Sequence, residues 1–105
     1  MKTYRVETEF GVFDIALKKT VYTTTDTLAV ISIINENGYD EPFATLTVNL
    51  PDSILLRNDQ AYVDTNNNPW VEKFLQDNKI AVPMGEVAIS GWCTYPLYKF
   101  NLDKI

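Results

Sequence analysis

At 105 residues the chain is one domain's worth, long enough for one hydrophobic core and too short for two. Hydrophobic residues at 46% and charged residues at 22% place it among ordinary globular proteins and exclude a disordered composition. The net charge is −5, and between Lys19 and Arg57 the acids Asp26, Glu36, Asp40, Glu41 and Asp52 stand with no base among them. Clustered Lys and Arg, which a phosphate backbone requires, are missing, so neither nucleic acid nor an anionic membrane is expected as a direct partner.

Residues 3–10 alternate, with Tyr4, Val6, Thr8 and Phe10 on one face and Arg5, Glu7 and Glu9 on the other, the period of a half-buried strand. Gly11 either turns or bulges the chain before a second strand, Val12–Lys18, or lies within one long bent strand. Thr20–Asp26 is polar and β-branched and reads as an irregular edge or loop. Thr27–Asn35 is apolar on both faces, which places it centrally in a sheet. Glu36-Asn37-Gly38-Tyr39 then carries the strongest short-range hairpin signal, because Asn and Gly both tolerate positive φ. The return strand is predicted over Phe43–Leu50, with Ala44, Leu46, Val48 and Leu50 facing one way. Pro51 ends it, and Ser53–Asn58 is a connector with a short helical turn.

Gln60–Asp64 reads as a short strand, followed by one helix over about residues 69–78. Asn68 is its predicted N-cap, Pro69 its first residue and Asn78 its left-handed terminus. Trp70, Val71, Phe74 and Leu75 form its apolar face and leave Glu72, Lys73, Gln76 and Asp77 in water. Val82–Gly85 breaks the chain before a last strand, Tyr95–Asn101, in which Pro96 argues for an edge position or a strand start. The expected fold is α+β: a mainly antiparallel twisted sheet of five or six strands with this helix packed on one face.

The chemistry is sparse. Histidine is absent, which removes the commonest general base and metal ligand, and a single cysteine, Cys93, excludes an internal disulfide. Without histidine, a Cys93 nucleophile needs a lysine or a helix N-terminus, and a small buried hydrophobe is the reading its type favours. Asp64, Asn66 and Asn68 match the first, third and fifth positions of a calcium loop, but Pro69 replaces its glycine and Leu75 its bidentate glutamate. No metal, cofactor or catalytic residue is therefore expected. The N-terminus lacks the apolar run of a signal peptide and Leu28–Ile34 is too short to span a bilayer, so a cytoplasmic location is the default expectation.

Three segments, Glu41–Pro51, Ala61–Trp70 and Gly91–Phe100, together resemble a family of small proteins of Gram-positive bacteria carried on conjugative transposons, plasmids and phages. That family is known only as a domain of unknown function. The resemblance runs from about residue 40 onward, implies an accessory role on a mobile element, and transfers no site residue.

The reading these observations favour is a non-enzymatic protein acting through a protein–protein surface toward a basic partner. Glu36, Tyr39, Asp40 and Glu41 at the hairpin, with Asp64 and Asn66 in the polar turn, are its expected contact residues. The alternatives are an inhibitor that occupies the basic nucleic-acid groove of a host defence nuclease, and an enzyme or small-ligand protein built around Cys93 or a carboxylate cluster. A subunit that pairs with its own copy through an exposed strand edge is a further alternative.

Overall fold

Tyr4–Thr8 (β1) and Gly11–Tyr22 (β2) pair as an antiparallel hairpin in the computed structural model, which describes residues 2–105. The choice left open at Gly11 thus resolves as a turn, and the backbone explains why: Gly11 sits at φ 129°, a conformation that side chains oppose. Phe10 consequently leaves the face it was assigned to with Tyr4 and Val6, and stands 84% exposed at the bend. β2 also runs on to Tyr22 through residues expected to be a loop, because Thr20–Tyr22 find partners in Thr27–Ala29.

Thr27–Glu36 (β3) lies between β2 and Tyr39–Thr45 (β4), in the central position its two apolar faces predicted. The β3–β4 turn is a two-residue loop with Asn37 at φ 53° and Gly38 at φ 84°, the type I′ pattern whose twist matches that of the strands it joins. The return strand departs from its expected bounds. It starts at Tyr39, irregular pairing opposite Ser32/Ile33 bends it, and it breaks at Leu46 before a short strand, Thr47–Val48 (β5).

That break joins two four-stranded sheets, ordered β1-β2-β3-β4 and β5-β6-β8-β7, in place of the single five- or six-stranded sheet expected. Gln60–Val63 (β6), Ala81–Ser90 (β7) and Cys93–Phe100 (β8) complete the second sheet, all antiparallel. Leu46, fully buried, donates its N–H to the Val30 carbonyl (2.9 Å) and accepts from the Asp64 N–H (2.9 Å), so one residue hydrogen-bonds toward both sheets. Immediately after it, the Thr47 hydroxyl accepts the Val30 N–H (3.1 Å) and lies 2.8 Å from the Tyr22 hydroxyl. A side-chain oxygen thereby replaces the carbonyl that β3 loses as its neighbour departs.

The break expected at Val82–Gly85 falls inside β7. Its Pro83–Val87 stretch is an irregularity within the strand, with Gly85 at φ 80°, and regular pairing to β8 resumes on both sides. Pro96, expected at an edge or a strand start, sits inside β8 between two neighbours; the β6 ladder covers only Leu97–Lys99 and stops beside it.

The helix α1 is shorter than expected, Val71–Asp77, against a predicted span of about 69–78. Asn68 does not cap it: its amide instead donates to the Thr45 carbonyl (2.8 Å), tying the polar turn to the end of β4. At the other end Asn78 is not left-handed; Lys79 takes φ 55° in its place. The Ile80 N–H reaches the Leu75 carbonyl (2.9 Å) and the Lys79 N–H the Gln76 carbonyl (3.1 Å), which is a Schellman closure. Val71, Phe74 and Leu75 are buried and Trp70 is half-buried. They meet Val6, Ile15, Leu17, Leu28, Val30, Val63, Tyr98 and Phe100 in the main core. Each such side chain contributes about 1.5–3 kcal/mol before entropy is counted.

Glu72, expected in water, is half-buried, while Gln76 is exposed as expected and still reaches the core hydroxyl beside it. The buried Tyr98 hydroxyl donates to Glu72 Oε1 (2.7 Å) and accepts from Gln76 Nε2 (2.8 Å). Burial, and then the bond to Glu72, push the Tyr98 hydroxyl up to about 12. No described helix is long and apolar enough to cross a membrane.

Replacing Thr47 by Val leaves the Val30 N–H and the Tyr22 hydroxyl without their partner. Urea denaturation is expected to show a loss of about 1–3 kcal/mol. Tyr98 supplies a pH test. Its folded value lies above the ordinary value of 10, so the stability it contributes is complete below about pH 10 and is lost as pH climbs through about 12. Circular dichroism between those limits is expected to show a shallower loss for Tyr98→Phe than for the wild type. Some slope persists, because burial also raises Tyr22.

Candidate functional site

Antiparallel pairing decides which charges gather. β1 ends and β2 begins toward the same end of the first sheet where β3 ends and β4 begins, so the two turns point the same way along it, while the β2–β3 ladder stops at Ala16 and Ile33, short of both. Glu36, Tyr39, Asp40 and Glu41 are all exposed there, on the β3–β4 hairpin. Asp40 Oδ1 accepts from Asn35 Nδ2 (2.8 Å), which orients its carboxylate across the hairpin. The other turn adds Glu9 and Phe10, both exposed. Among the described residues the ion pairs are Arg5–Asp14, Lys73–Asp77 and Lys99–Asp59; none involves Glu9, Glu36, Asp40 or Glu41. This end therefore carries four carboxylates without a cationic partner, together with two exposed aromatic rings, Phe10 at 84% and Tyr39 at 74%.

Behind Phe10 lies a groove of about 210 Å³, walled by Phe13, Phe43 and Trp70 and floored by Asn67 and Asn68. Its rings belong to a continuous aromatic row. Phe13 and Phe43 have centroids 5.1 Å apart, Phe43 and Trp70 5.9 Å, and Trp70 and Phe74 5.7 Å, in tilted and edge-on arrangements that suit their quadrupoles. Phe10 and Glu9 were missed as site residues because the alternation of residues 3–10 was carried through the turn. Gly11, two residues beyond Glu9, is the signal that marks the chain reversal.

The six residues expected to act together fall into two groups. Seven residue steps of extended chain run from Tyr39 to Leu46, up to about 23 Å at strand spacing, and Asp64 is held beside Leu46. Asp64 is buried. Its Oδ1 accepts the Asn67 N–H (3.1 Å), its Oδ2 accepts from Asn67 Nδ2 (2.8 Å), and its own carbonyl accepts the Asn68 N–H (3.1 Å). The Asp64 side chain and carbonyl thus close the turn from β6 to α1 by accepting from the backbone three and four residues on. Asn66 is exposed on that turn.

Among the other aromatic side chains, Trp92 is exposed like Tyr39, Tyr95 is half-buried and Tyr62 is buried. Cys93 is half-buried at the start of β8. It raises the neighbouring Tyr95 hydroxyl above its ordinary value, with burial as the second cause. The groove behind Phe10, the groove between β1 and α1 and the groove beside the start of β7 are lined by none of Cys93, Asp64 or Tyr95. No three His, Cys, Asp or Glu side chains among the described residues gather as a metal site would require.

Asp64→Ala is expected to cost about 1–3 kcal/mol in chemical denaturation, since two donors of the turn lose their acceptor. Asn66→Ala, exposed on the same turn, is expected to stay within about 0.5 kcal/mol of the wild type.

No curated protein and no solved structure matches the chain. A family model does match, over residues 16–105, and so reaches further back than the resemblance read from residue 40 onward; it takes in the rest of β2, all of β3 and the hairpin. The chain therefore belongs to the family described as Domain of unknown function (DUF4313).

Proposed function

We propose that this chain is a non-enzymatic accessory protein that binds a basic protein surface with the acidic end of its first sheet. The observation that carries the proposal is that two turns pointing the same way along the first sheet expose Phe10 and Tyr39 together with Glu9, Glu36, Asp40 and Glu41, none of these acids ion-paired among the described residues. Large exposed rings stabilise little in a free protein and supply most of the energy at interfaces. The carboxylates steer a basic partner and select against an acidic one. The groove behind Phe10 suits the aliphatic stem of a Lys or Arg side chain, whose charged head meets Glu9 at the rim and whose stem packs on Phe13, Phe43 and Trp70.

The setting we propose is the cytoplasm of a Gram-positive bacterium, with the gene carried on a mobile element. In that setting the sharper form of the reading is an inhibitor that occupies the basic groove of a host defence nuclease. A net charge of −5 is modest beside the one charge per roughly 1.7 Å of a DNA duplex, so the aromatic contacts supply the affinity and the acids the direction.

The test is capture of partners from host extract with the wild type and with Glu36→Lys/Asp40→Lys/Glu41→Lys. A specific partner is expected to be held by the wild type at low salt, released as salt rises, and lost on charge reversal and on Phe10→Ala. Recovery of the same partner by the charge-reversed protein would sink the proposal. For the sharper form, expression in the host is expected to protect incoming plasmid or phage DNA.

A further inference from the structure

β1 is the outer strand of the first sheet, and among the described residues only β2 pairs with it. In an antiparallel pair, alternate residues of an edge strand aim their N–H and C=O groups away from the neighbour, so one row of β1 hydrogen-bonding groups is left for another strand. Arg5, Val6 and Glu7 form one wall of a groove of about 410 Å³, and Trp70, Lys73 and Asp77 on and beside α1 form part of the other. An open strand edge flanked by a helix is the geometry in which a further strand docks.

The sequence of that edge specifies the occupant. Tyr4-Arg5-Val6-Glu7-Thr8 is complementary to itself when reversed. In an antiparallel pairing centred on Val6, Arg5 of each copy falls opposite Glu7 of the other, Val6 meets Val6, and Tyr4 meets Thr8. We propose that two copies of this chain associate through their β1 edges about a twofold axis at Val6, which fuses their first sheets into one of eight strands.

Charge permits a second copy at this face. The molecule is acidic overall, but Arg5, Glu7, Lys73 and Asp77 are two bases and two acids. The twofold also sends the two acidic ends to opposite ends of the joined sheet, which keeps their repulsion small. Arg5 and Glu7 are exposed, and the Arg5 guanidinium, 3.5 Å from Asp14, has donors left for a carboxylate of the second copy. Five-residue strands with flanking helices bury on the order of 1,000 Å² in total, near the lower limit for a specific contact, so the dimer is reversible. Of the other edge strands, β4 carries acids and no base, β5 has only two residues, and β7 exposes Val87 and Ile89; self-pairing at none of them has a comparable charge register.

Sedimentation equilibrium of the wild type, Arg5→Glu, Glu7→Arg and an equimolar mixture of the two variants tests the proposal independently of any basic partner. The wild type is expected to show a monomer–dimer equilibrium that weakens at about 1 M salt, where screening acts within roughly 3 Å. Each variant alone is expected to dimerise about tenfold or more weakly, because two symmetry-related pairs turn from attractive to repulsive. The mixture is expected to recover, since a chain with two acids at these positions then faces a chain with two bases, and recovery shows that both are folded. A wild type that stays monomeric, single variants that associate as tightly as the wild type, or an association abolished by Ile89→Lys but not by the β1 variants, would each overturn it. If either variant fails to fold, the wild-type salt response decides, because apolar β7 pairing strengthens where β1 pairing weakens.

Discussion

Everything in this fold passes through Leu46. A strand cannot serve two sheets of different orientation without breaking its ladder, and a buried break leaves peptide groups that must find partners or cost about 1–3 kcal/mol each. Here Leu46 donates to Val30 and accepts from Asp64, and the Thr47 hydroxyl takes over the Val30 N–H. Asn68 then donates to the Thr45 carbonyl on the other side of the bend. The polar turn before α1 is thus part of the device that lets β4 leave the first sheet and enter the second as β5. No buried side-chain polar atom among the described residues lacks a hydrogen-bond partner, which shows how fully the arrangement is satisfied.

With that hinge in place, the meander of β1–β4 directs its two turns the same way along the first sheet. The carboxylates collect where solvation is cheapest, on turn residues, and the aromatic row from Phe13 to Phe74 continues behind them into the core. The proposed surface is thus backed by packed rings. Phe10 sits on a two-residue turn that Thr8 steadies through its hydroxyl, which accepts the Phe10 N–H (3.1 Å) and donates to the Gly11 carbonyl (3.2 Å).

Local signals carried the parts of the chain where local geometry decides. Asn37-Gly38 specified its turn because both positions need positive φ, and the apolar run of β3 specified a strand covered on both faces. Readings failed where a distant partner overrode the local preference. Pro83 and Gly85 looked like a break, yet β7 forms because β8 offers a ladder on either side of the irregularity. Asn68 had the composition of a helix cap, but the Thr45 carbonyl, 23 positions earlier, claimed its amide. Glu72 reads as part of a wet helix face, but the Tyr98 hydroxyl draws it into a half-buried position. Of the candidate site, the acids and Tyr39 were legible, since a hairpin tip is exposed by construction. Phe10 was not, because its exposure depends on where a neighbouring turn falls.

Composition and spacing by themselves determined the α+β class, the hairpin, the existence of the helix and the acidic middle of the chain. They did so because turn chemistry and side-chain periodicity act over a few residues. Only the tertiary structure decided that the return strand divides between two sheets, that Asp64 is locked in a turn up to about 23 Å of strand away from the hairpin tip, and that β1 is an open edge. Those outcomes rest on pairing between residues far apart in sequence, such as Thr47 with Val63 and Ala61 with Tyr98, and no local window contains both partners.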